Sequence, residues 1–144
     1  MHDTVEIQTG DQPTGSIIWL HGLGADGHDF EPIVPELRLP ASPALRFVFP
    51  HASVRPVTLN GGLPMRAWFD ILSLDREGQP DVAGIEASCA LVDVLIEREL
   101  ERGIERANIV LAGFSQGGVI AMHTALRSDA PLAGLMALST YLPL

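Results

Sequence analysis

The 144-residue chain is poor in cysteine, in positive charge and in long apolar runs, and each shortage excludes a class of protein. Cys89 is its only cysteine, so no internal disulfide can form, which fits a reducing compartment. Nine Lys and Arg residues stand against eighteen Asp and Glu residues, which gives a net charge of −9. A surface of that sign repels phosphate backbones and anionic membrane surfaces, so we expect no nucleic-acid partner.

The sequence also shows no targeting or membrane-spanning segment. Its first ten residues, MHDTVEIQTG, have neither the basic nor the apolar part of a signal peptide. The most apolar stretch, residues 132–144, is shorter than the about 20 residues that span a bilayer. With 47% apolar and 19% charged residues, the composition is that of one folded domain over residues 1–144. We therefore expect a cytoplasmic protein without a membrane span.

Strand and helix patterns alternate along the chain. Short β-branched and apolar runs predict strands at residues 5–8, 16–20, 45–50, 108–114 and 132–139. Two longer segments, 82–102 and 115–127, are predicted helices, and Gly103 ends the first of them. The buried face of that first helix is predicted to carry Ile85, Cys89, Val92 and Ile96. Such alternation implies parallel strands joined by right-handed crossovers, so the predicted class is α/β.

Two further segments are less regular. One has apolar residues at i, i+3, i+4 and i+7, which predicts a helix that Pro35 distorts. The face of this helix would be Phe30, Ile33, Val34 and Leu37. The other segment, residues 51–80, is rich in proline and glycine and has no clear period. Long ordered excursions of this kind are usually functional.

The sequence GFSQG at residues 113–117 has the G-x-S-x-G spacing of a nucleophile elbow, between a predicted strand and a predicted helix. In such a turn the strained serine exposes its hydroxyl above the sheet, and the flanking glycines avoid clashes with neighbouring backbone. The N-terminus of the following helix favours developing negative charge. Ser115 is therefore the predicted nucleophile. The alternative is a glycine-rich turn with a passive serine.

A second glycine-rich loop, HGLG at residues 21–24, follows the predicted strand 16–20. It resembles the loop with which esterases offer a backbone N–H to an oxyanion. The predicted oxyanion donors are the N–H groups of Leu23 and Gln116, and we expect His21 to shape the loop. A phosphate-binding loop is the alternative, but this loop contains no lysine. The residues of this loop predicted to line the substrate are Gly22 and Gly24.

Other polar residues carry weaker signals. His28 and His51 fall in predicted loops, where surface histidines are the usual interpretation. Asp70 follows an aromatic pair and is expected to accept structural hydrogen bonds. Cys89 lies on an apolar helix face, which favours a core thiol. No spacing of His, Cys or acidic residues indicates a metal site, and no cofactor is implied.

Three stretches together, IIWLHGLGADGHDF, FPHASVRPVTLNGGLPMRAWFDI and GFSQGG, resemble the phospholipase/carboxylesterase family over most of the chain. This family of small α/β-hydrolases includes bacterial carboxylesterases and acyl-protein thioesterases. The resemblance implies a mostly parallel sheet with helices on both faces. It also implies Ser115 as nucleophile, oxyanion donors at Leu23 and Gln116, and Trp68 near an acyl pocket. Family members continue for about another third of their length, and that part carries the catalytic aspartate and then the histidine.

The partners of Ser115 are therefore expected outside this chain. After Ser115 only His123 and Asp129 could act as base and acid, and they come in the wrong order. His123 lies eight residues along the helix, about 12 Å at 1.5 Å per residue. We expect a hydrolase of carboxylic esters or thioesters with small to medium acyl groups, lacking its C-terminal strands and completed by the C-terminal segment of the same enzyme. The alternative is a truncated, non-catalytic form that binds acyl groups or a partner protein. The exposed sheet edge of such a chain would also favour homo-oligomers.

Overall fold

The computed structural model describes residues 3–73 and 78–144. Within these residues seven strands form a five-stranded sheet and a separate hairpin, and the five strands of the sheet follow the short apolar runs of the sequence. Helices connect the later strands. The strands are β1 (Thr4–Gln8), β2 (Gly15–Leu20), β3 (Leu45–Pro50), β4 (Val54–Val57), β5 (Leu63–Arg66), β6 (Ile109–Phe114) and β7 (Gly134–Leu138), and the helices are α1 (Ile33–Glu36), α2 (Val82–Glu101) and α3 (Gln116–Leu126).

The main sheet has the order β1-β3-β2-β6-β7. Strand β1 pairs antiparallel with β3, whereas β3, β2, β6 and β7 are mutually parallel. Strand β2 is buried at every position, which fits its continuous apolar sequence. The prediction of a mostly parallel α/β sheet is confirmed.

Helix α2 shows how local sequence sets the bounds of an element. Asp81 precedes its first turn, and the Asp81 carboxylate accepts a hydrogen bond from the Gly84 N–H at 3.0 Å. At the other end Gly103 adopts a φ of +93°, and the N–H groups of Gly103 and Ile104 return to the carbonyls of Leu100 and Glu99. The predicted apolar face is buried. Its members are Ile85, Cys89, Val92 and Ile96.

Two apolar layers sandwich the sheet. The larger layer packs α2 and α3 against residues such as Ile18 and Val48. The smaller layer lies on the opposite face, where Val34 of α1 packs with Trp19 and Phe47. Helices thus flank both faces of the sheet, as the sequence predicts.

Helix α1 is shorter than the apolar spacing predicts. It has four residues, and Leu37, which we expected on its buried face, is exposed. The helix ends there because Arg38 turns into the left-handed region with a φ of +50°. Phe30 and Ile33 do pack against the smaller apolar layer. The predicted helical face is therefore wrong at Leu37, and the shortness of the helix agrees with the distortion expected from Pro35.

The segment of residues 51–80 contains a hairpin that the sequence pattern does not reveal. Strands β4 and β5 pair antiparallel, and Pro56 lies directly opposite Pro64. Proline removes a ladder donor and is confined to strand edges, so its presence in both strands masks the usual strand signature. The hairpin reaches the main body at Arg66, whose carbonyl accepts a hydrogen bond from the Gly24 N–H.

Within the described ranges no helix is long and apolar enough to cross a membrane.

Candidate active site

The predicted site lies at the carboxyl ends of β2 and β6. These neighbouring parallel strands are in register, with Leu20 opposite Gly113. Within the sheet, β3 lies on one side of β2 and β6 lies on the other, so the strand order reverses at β2. Open α/β sheets form their ligand crevices where the strand order reverses in this way. The loop of residues 21–24 and the turn at Ser115 therefore lie side by side.

Ser115 occupies the strand–turn–helix context that its motif predicts. Its backbone angles, φ 53° and ψ −117°, lie in a region that costs energy for any residue with a side chain. Its N–H donates to the Leu138 carbonyl at 2.9 Å, which ties the turn to the end of β7. The residue is half-buried and precedes the first turn of α3. Its hydroxyl thus lies near the positive end of the helix dipole.

The flanking glycines are required by close backbone contacts. A Cβ on Gly113 would collide with the backbone of Gly117. A Cβ on Gly117 would lie 2.5 Å from the Leu20 carbonyl oxygen and would also strike the carbonyl of His21. Backbone atoms cannot give way as a flexible side chain can. The two glycines therefore bring the Ser115 turn against the loop that follows β2.

The predicted oxyanion donors have free N–H groups. Within the described residues neither the Leu23 N–H nor the Gln116 N–H has a hydrogen-bond acceptor. The neighbouring Gly24 N–H, in contrast, is bound to the Arg66 carbonyl at 2.8 Å and is not available to a ligand. Gly22 lies against Phe114, whose ring would be 3.1 Å from a Cβ at that position. The loop thus leaves one N–H open beside Ser115.

Trp68 lies beneath the site and not at its surface. Only 1% of the residue is exposed, and its indole N–H donates to the His21 carbonyl at 2.8 Å. Its backbone N–H donates to the side-chain oxygen of Gln116, also at 2.8 Å. The expectation that Trp68 lies near the acyl group stays a prediction. Its contacts are those of a residue that supports the loop from below.

The side chain of Gln116 is a feature that the sequence analysis missed. The side-chain oxygen of Gln116 accepts from the Trp68 N–H, and its amide nitrogen donates to the Phe69 carbonyl at 2.8 Å. The side chain thus binds one donor and one acceptor of the backbone at residues 68–69. On the far side, the Ser88 hydroxyl of α2 donates to the Trp68 carbonyl. The only signal in the sequence is a polar amide at the first position of a mostly apolar helix.

His21 is buried and fully engaged in the loop, with 2% of the residue exposed. Its Nε2 accepts a hydrogen bond from the Ala52 N–H at 3.0 Å, so this nitrogen carries no proton. The proton therefore resides on Nδ1, which donates to the Gly22 carbonyl at 2.7 Å. Burial lowers the pKa of His21 and so favours this neutral form. A ring held in this way shapes the loop and is not free to act as a base, as the sequence predicts.

Among the described residues no histidine ring is hydrogen-bonded to the Ser115 hydroxyl. His123 is buried within α3, and burial, followed by the nearby Arg127, lowers its pKa. Asp129 is exposed beyond the end of that helix. Neither residue is placed to serve Ser115.

The remaining candidates have structural partners. His28 pairs with Glu31 at 2.6 Å on the surface, and His51 accepts from the Gly27 N–H at 2.9 Å. Asp70 accepts from the N–H and the hydroxyl of Thr58, and these hydrogen bonds lower its pKa. Cys89 is buried, which raises the pKa of its thiol. In the described part of the chain no cluster of three His, Cys, Asp or Glu residues could hold a metal ion.

Comparison with known proteins connects this geometry to one family. The phospholipase/carboxylesterase family model matches residues 2–144. Acyl-protein thioesterase 1 of Cryptococcus neoformans var. neoformans serotype D is 40% identical over 143 residues. The match includes 97% of this chain but only 60% of that relative. The chain thus spans about 60% of the length of the relatives that it matches.

Solved structures show the same relation. SOBER1 of Arabidopsis thaliana superposes with a TM-score of 0.84 at 31% identity, covering 90% of this chain and 63% of that chain. Acyl-protein thioesterase 2 of Zea mays superposes with a TM-score of 0.81 at 29% identity, covering 99% and 63%. The sheet, the Ser115 turn and the loop that follows β2 therefore belong to a fold shared with longer proteins.

Proposed function

The chain belongs to the phospholipase/carboxylesterase family, and on that premise we propose that Ser115 is the nucleophile of an ester or thioester hydrolase. The observation that carries the proposal is the strained Ser115 turn, packed against the loop after β2, together with the N–H groups of Leu23 and Gln116, which have no acceptor among the described residues. A hydroxyl and two convergent donors are the parts that acyl transfer requires.

The reaction would proceed through an acyl-enzyme. The Ser115 oxygen bonds to the substrate carbonyl carbon while its proton passes to a base, and the carbonyl electron pair moves onto oxygen. The N–H groups of Leu23 and Gln116 stabilise this oxyanion. When the carbonyl re-forms, the alcohol or thiol leaves with the proton from the base. Water then repeats the sequence and releases the carboxylic acid. The substrate is a small to medium acyl ester or thioester, and no step uses a metal or cofactor.

The base and its orienting acid are proposed to come from a segment outside these 144 residues, the C-terminal part of the same enzyme. His123 supports this assignment because its ring is buried in α3, about 12 Å along the axis from Ser115. The lack of a base near Ser115 among the described residues also favours a second candidate function, in which the chain binds acyl groups or a partner without turnover.

The two candidate functions predict different results when the C-terminal segment of a longer relative is added to the chain. Loss of a triad histidine costs about 10⁶ in kcat, and the rest of the site leaves about 10³–10⁴ over water. We therefore expect the isolated chain to hydrolyse p-nitrophenyl acetate no faster than its Ser115→Ala variant. Addition of the C-terminal segment of a longer relative should raise turnover and make Ser115 reactive toward a fluorophosphonate probe.

Two results would decide against this proposal. Robust turnover by the isolated chain that depends on Ser115 would mean that a base lies within these residues. No turnover after the segment binds would favour the non-catalytic function. The Ser115→Ala variant with the same segment is the control, because it retains the oxyanion N–H groups and lacks only the nucleophile.

A further inference from the structure

The two proposed oxyanion donors share one arrangement: each belongs to a peptide unit whose carbonyl is held by a side chain. The Gly22 carbonyl, in the same peptide as the Leu23 N–H, accepts from Nδ1 of His21 at 2.7 Å. The Ser115 carbonyl, in the same peptide as the Gln116 N–H, accepts from the Thr140 hydroxyl at 2.6 Å. One holding residue comes from the loop after β2 and the other from the chain after β7.

In a planar trans peptide, fixing the direction of the carbonyl also fixes the direction of the N–H in the same unit. Both peptides are trans, so the C=O and N–H of each unit point in opposite directions. A side chain that holds the carbonyl toward the protein therefore turns the N–H of the same unit away from that side chain. Both N–H groups lack an acceptor among the described residues, and that of Gln116 is in addition the first of α3, where the helix itself offers no acceptor.

The same hydrogen bonds also make the N–H groups stronger donors. A carbonyl that accepts a hydrogen bond polarises its peptide unit, and hydrogen bonds in a chain strengthen one another. The Ser115 carbonyl additionally accepts from the N–H groups of Gly118 at 3.0 Å and Val119 at 3.3 Å. The Gly22 carbonyl additionally accepts from the Ala25 N–H at 3.3 Å. The Gly22 carbonyl is thus held by one side chain and one backbone N–H, and the Ser115 carbonyl by one side chain and two backbone N–H groups of α3.

Thr140 reaches the Ser115 carbonyl because Gly118 has no side chain. A Cβ on Gly118 would lie 2.6 Å from the Thr140 Cβ and Oγ1. The second glycine of the SQGG sequence therefore makes room for a hydroxyl from 22 residues further along the chain. The contact links the end of β7 to the first turn of α3.

We propose that His21 and Thr140 are the positioning residues of the oxyanion site, His21 directing the Leu23 N–H and Thr140 directing the Gln116 N–H. The inference rests on the proposed function, because the proposed function assigns those two N–H groups as oxyanion donors. Neither residue touches the reacting atoms. Each acts through the carbonyl that it holds.

The Thr140 half is tested by the direction of the Gln116 N–H, measured as its one-bond N–H residual dipolar coupling in ¹⁵N-labelled chain. Thr140→Val keeps the shape and removes the donor, so the coupling should change. Thr140→Ser keeps the donor and should restore the wild-type value. The matched control is Thr124→Val, which removes a hydroxyl that donates to the Ile120 carbonyl elsewhere in α3. An unchanged Gln116 coupling in Thr140→Val would overturn the proposal.

The His21 half is tested by the tautomer of its ring. The ¹⁵N spectrum of the imidazole at neutral pH should show a protonated Nδ1 and an unprotonated Nε2. A proton on Nε2 would leave the Gly22 carbonyl without its donor and would overturn the assignment of His21. This measurement needs no substitution in the buried loop and no catalytic activity.

Phenylboronic acid, which forms a tetrahedral anionic adduct with serine, tests the link to the oxyanion. The wild-type chain, combined with the C-terminal segment of a longer relative that supplies the base, should bind it with shifts of the Leu23 and Gln116 amide signals. Thr140→Val combined with the same segment should bind about tenfold more weakly, the loss expected for one misdirected hydrogen bond to a charged group. Equal binding by both would overturn the inference alone, whereas no binding by the wild-type chain with the segment would overturn the proposed function with it.

Discussion

Gly117 is the residue at which the Ser115 turn and the loop after β2 come closest. A Cβ at this position would meet the backbone carbonyls of Leu20 and His21, which belong to a buried strand and to a loop fixed by hydrogen bonds. The contact cannot be relieved by rotating a side chain. At the residue scale the turn and the loop can therefore pack this closely only because Gly117 has no side chain.

Gly117→Ala should lower the free energy of unfolding by about 1–3 kcal/mol, the usual cost of forcing atoms into a packed interior. Urea denaturation followed by circular dichroism measures it. Gly134→Ala is the matched control, because its added methyl group meets nothing within 4 Å and its φ is ordinary. That variant should stay within about 0.5 kcal/mol of the wild type. Equal stability of the two variants would contradict the close-contact interpretation.

Spacing in the sequence predicts the position of a residue when its neighbours are close in the chain. It does not predict contacts between residues that are distant in the chain. The elbow of residues 113–117 lies in the strand–turn–helix context that its motif predicts. The hydrogen bonds of the Gln116 side chain join residues 47 and 48 positions apart, so no local pattern encodes them. The hydrogen bonds of Trp68 to His21 and Gln116 likewise join residues 47 and 48 positions apart, so its burial could not be predicted from local spacing.

At the scale of elements, α2 is fixed to the sheet by a buried ion-pair network. Glu99, with no exposed surface, binds Arg46 of β3 at 2.5 Å and Arg102 at 3.3 Å. Arg102 continues to Glu6 of β1 at 2.9 Å. The network spans one helix and two strands at the end of the sheet remote from β7. Removal of Glu99 would leave the buried Arg46 guanidinium without its partner.

Glu99→Gln should lower the free energy of unfolding by about 3 kcal/mol, since it leaves the Arg46 guanidinium buried and uncompensated. Glu97→Gln is the control, two residues away on the same helix. Glu97 pairs with Arg106 at 3.3 Å with 63% of its side chain exposed, so its loss should cost less than about 1 kcal/mol. Thermal or urea denaturation compares the two. A smaller loss for Glu99→Gln than for Glu97→Gln would show that the network does not stabilise the fold.

Elements with a single strong pattern were predictable from sequence, and those with mixed signals were not. The uninterrupted apolar run of β2 and the cap, face and terminal glycine of α2 all favour one structure, and both elements formed as predicted. The hairpin of β4 and β5 carries a proline in each strand, which argues locally against strands. Helix α1 has an apolar face by spacing, but the chain leaves the helix at Arg38.

At the scale of the whole molecule, the two edge strands of the sheet differ in charge. Edge strand β1 carries Glu6, which binds Arg98 of α2 and Arg102 just after α2. At the other end β7 pairs only with β6 within the described residues. Its Leu135 and Met136 are exposed, and residues 132–144 contain no charged side chain. The longer relatives, of which this chain covers about 60%, have further sequence that could complete such an edge.

An apolar edge strand without charge invites pairing with another chain, so we expect the isolated 144-residue chain to self-associate through β7 despite its net charge of −9. Sedimentation velocity at several concentrations should show oligomers. Met136→Lys places a charge on the edge and should shift the distribution toward monomer. Val94→Lys is the control, because it adds the same charge at an exposed apolar position on α2, away from the edge. A monodisperse wild-type monomer, or an equal effect of both lysines, would show that β7 does not mediate association.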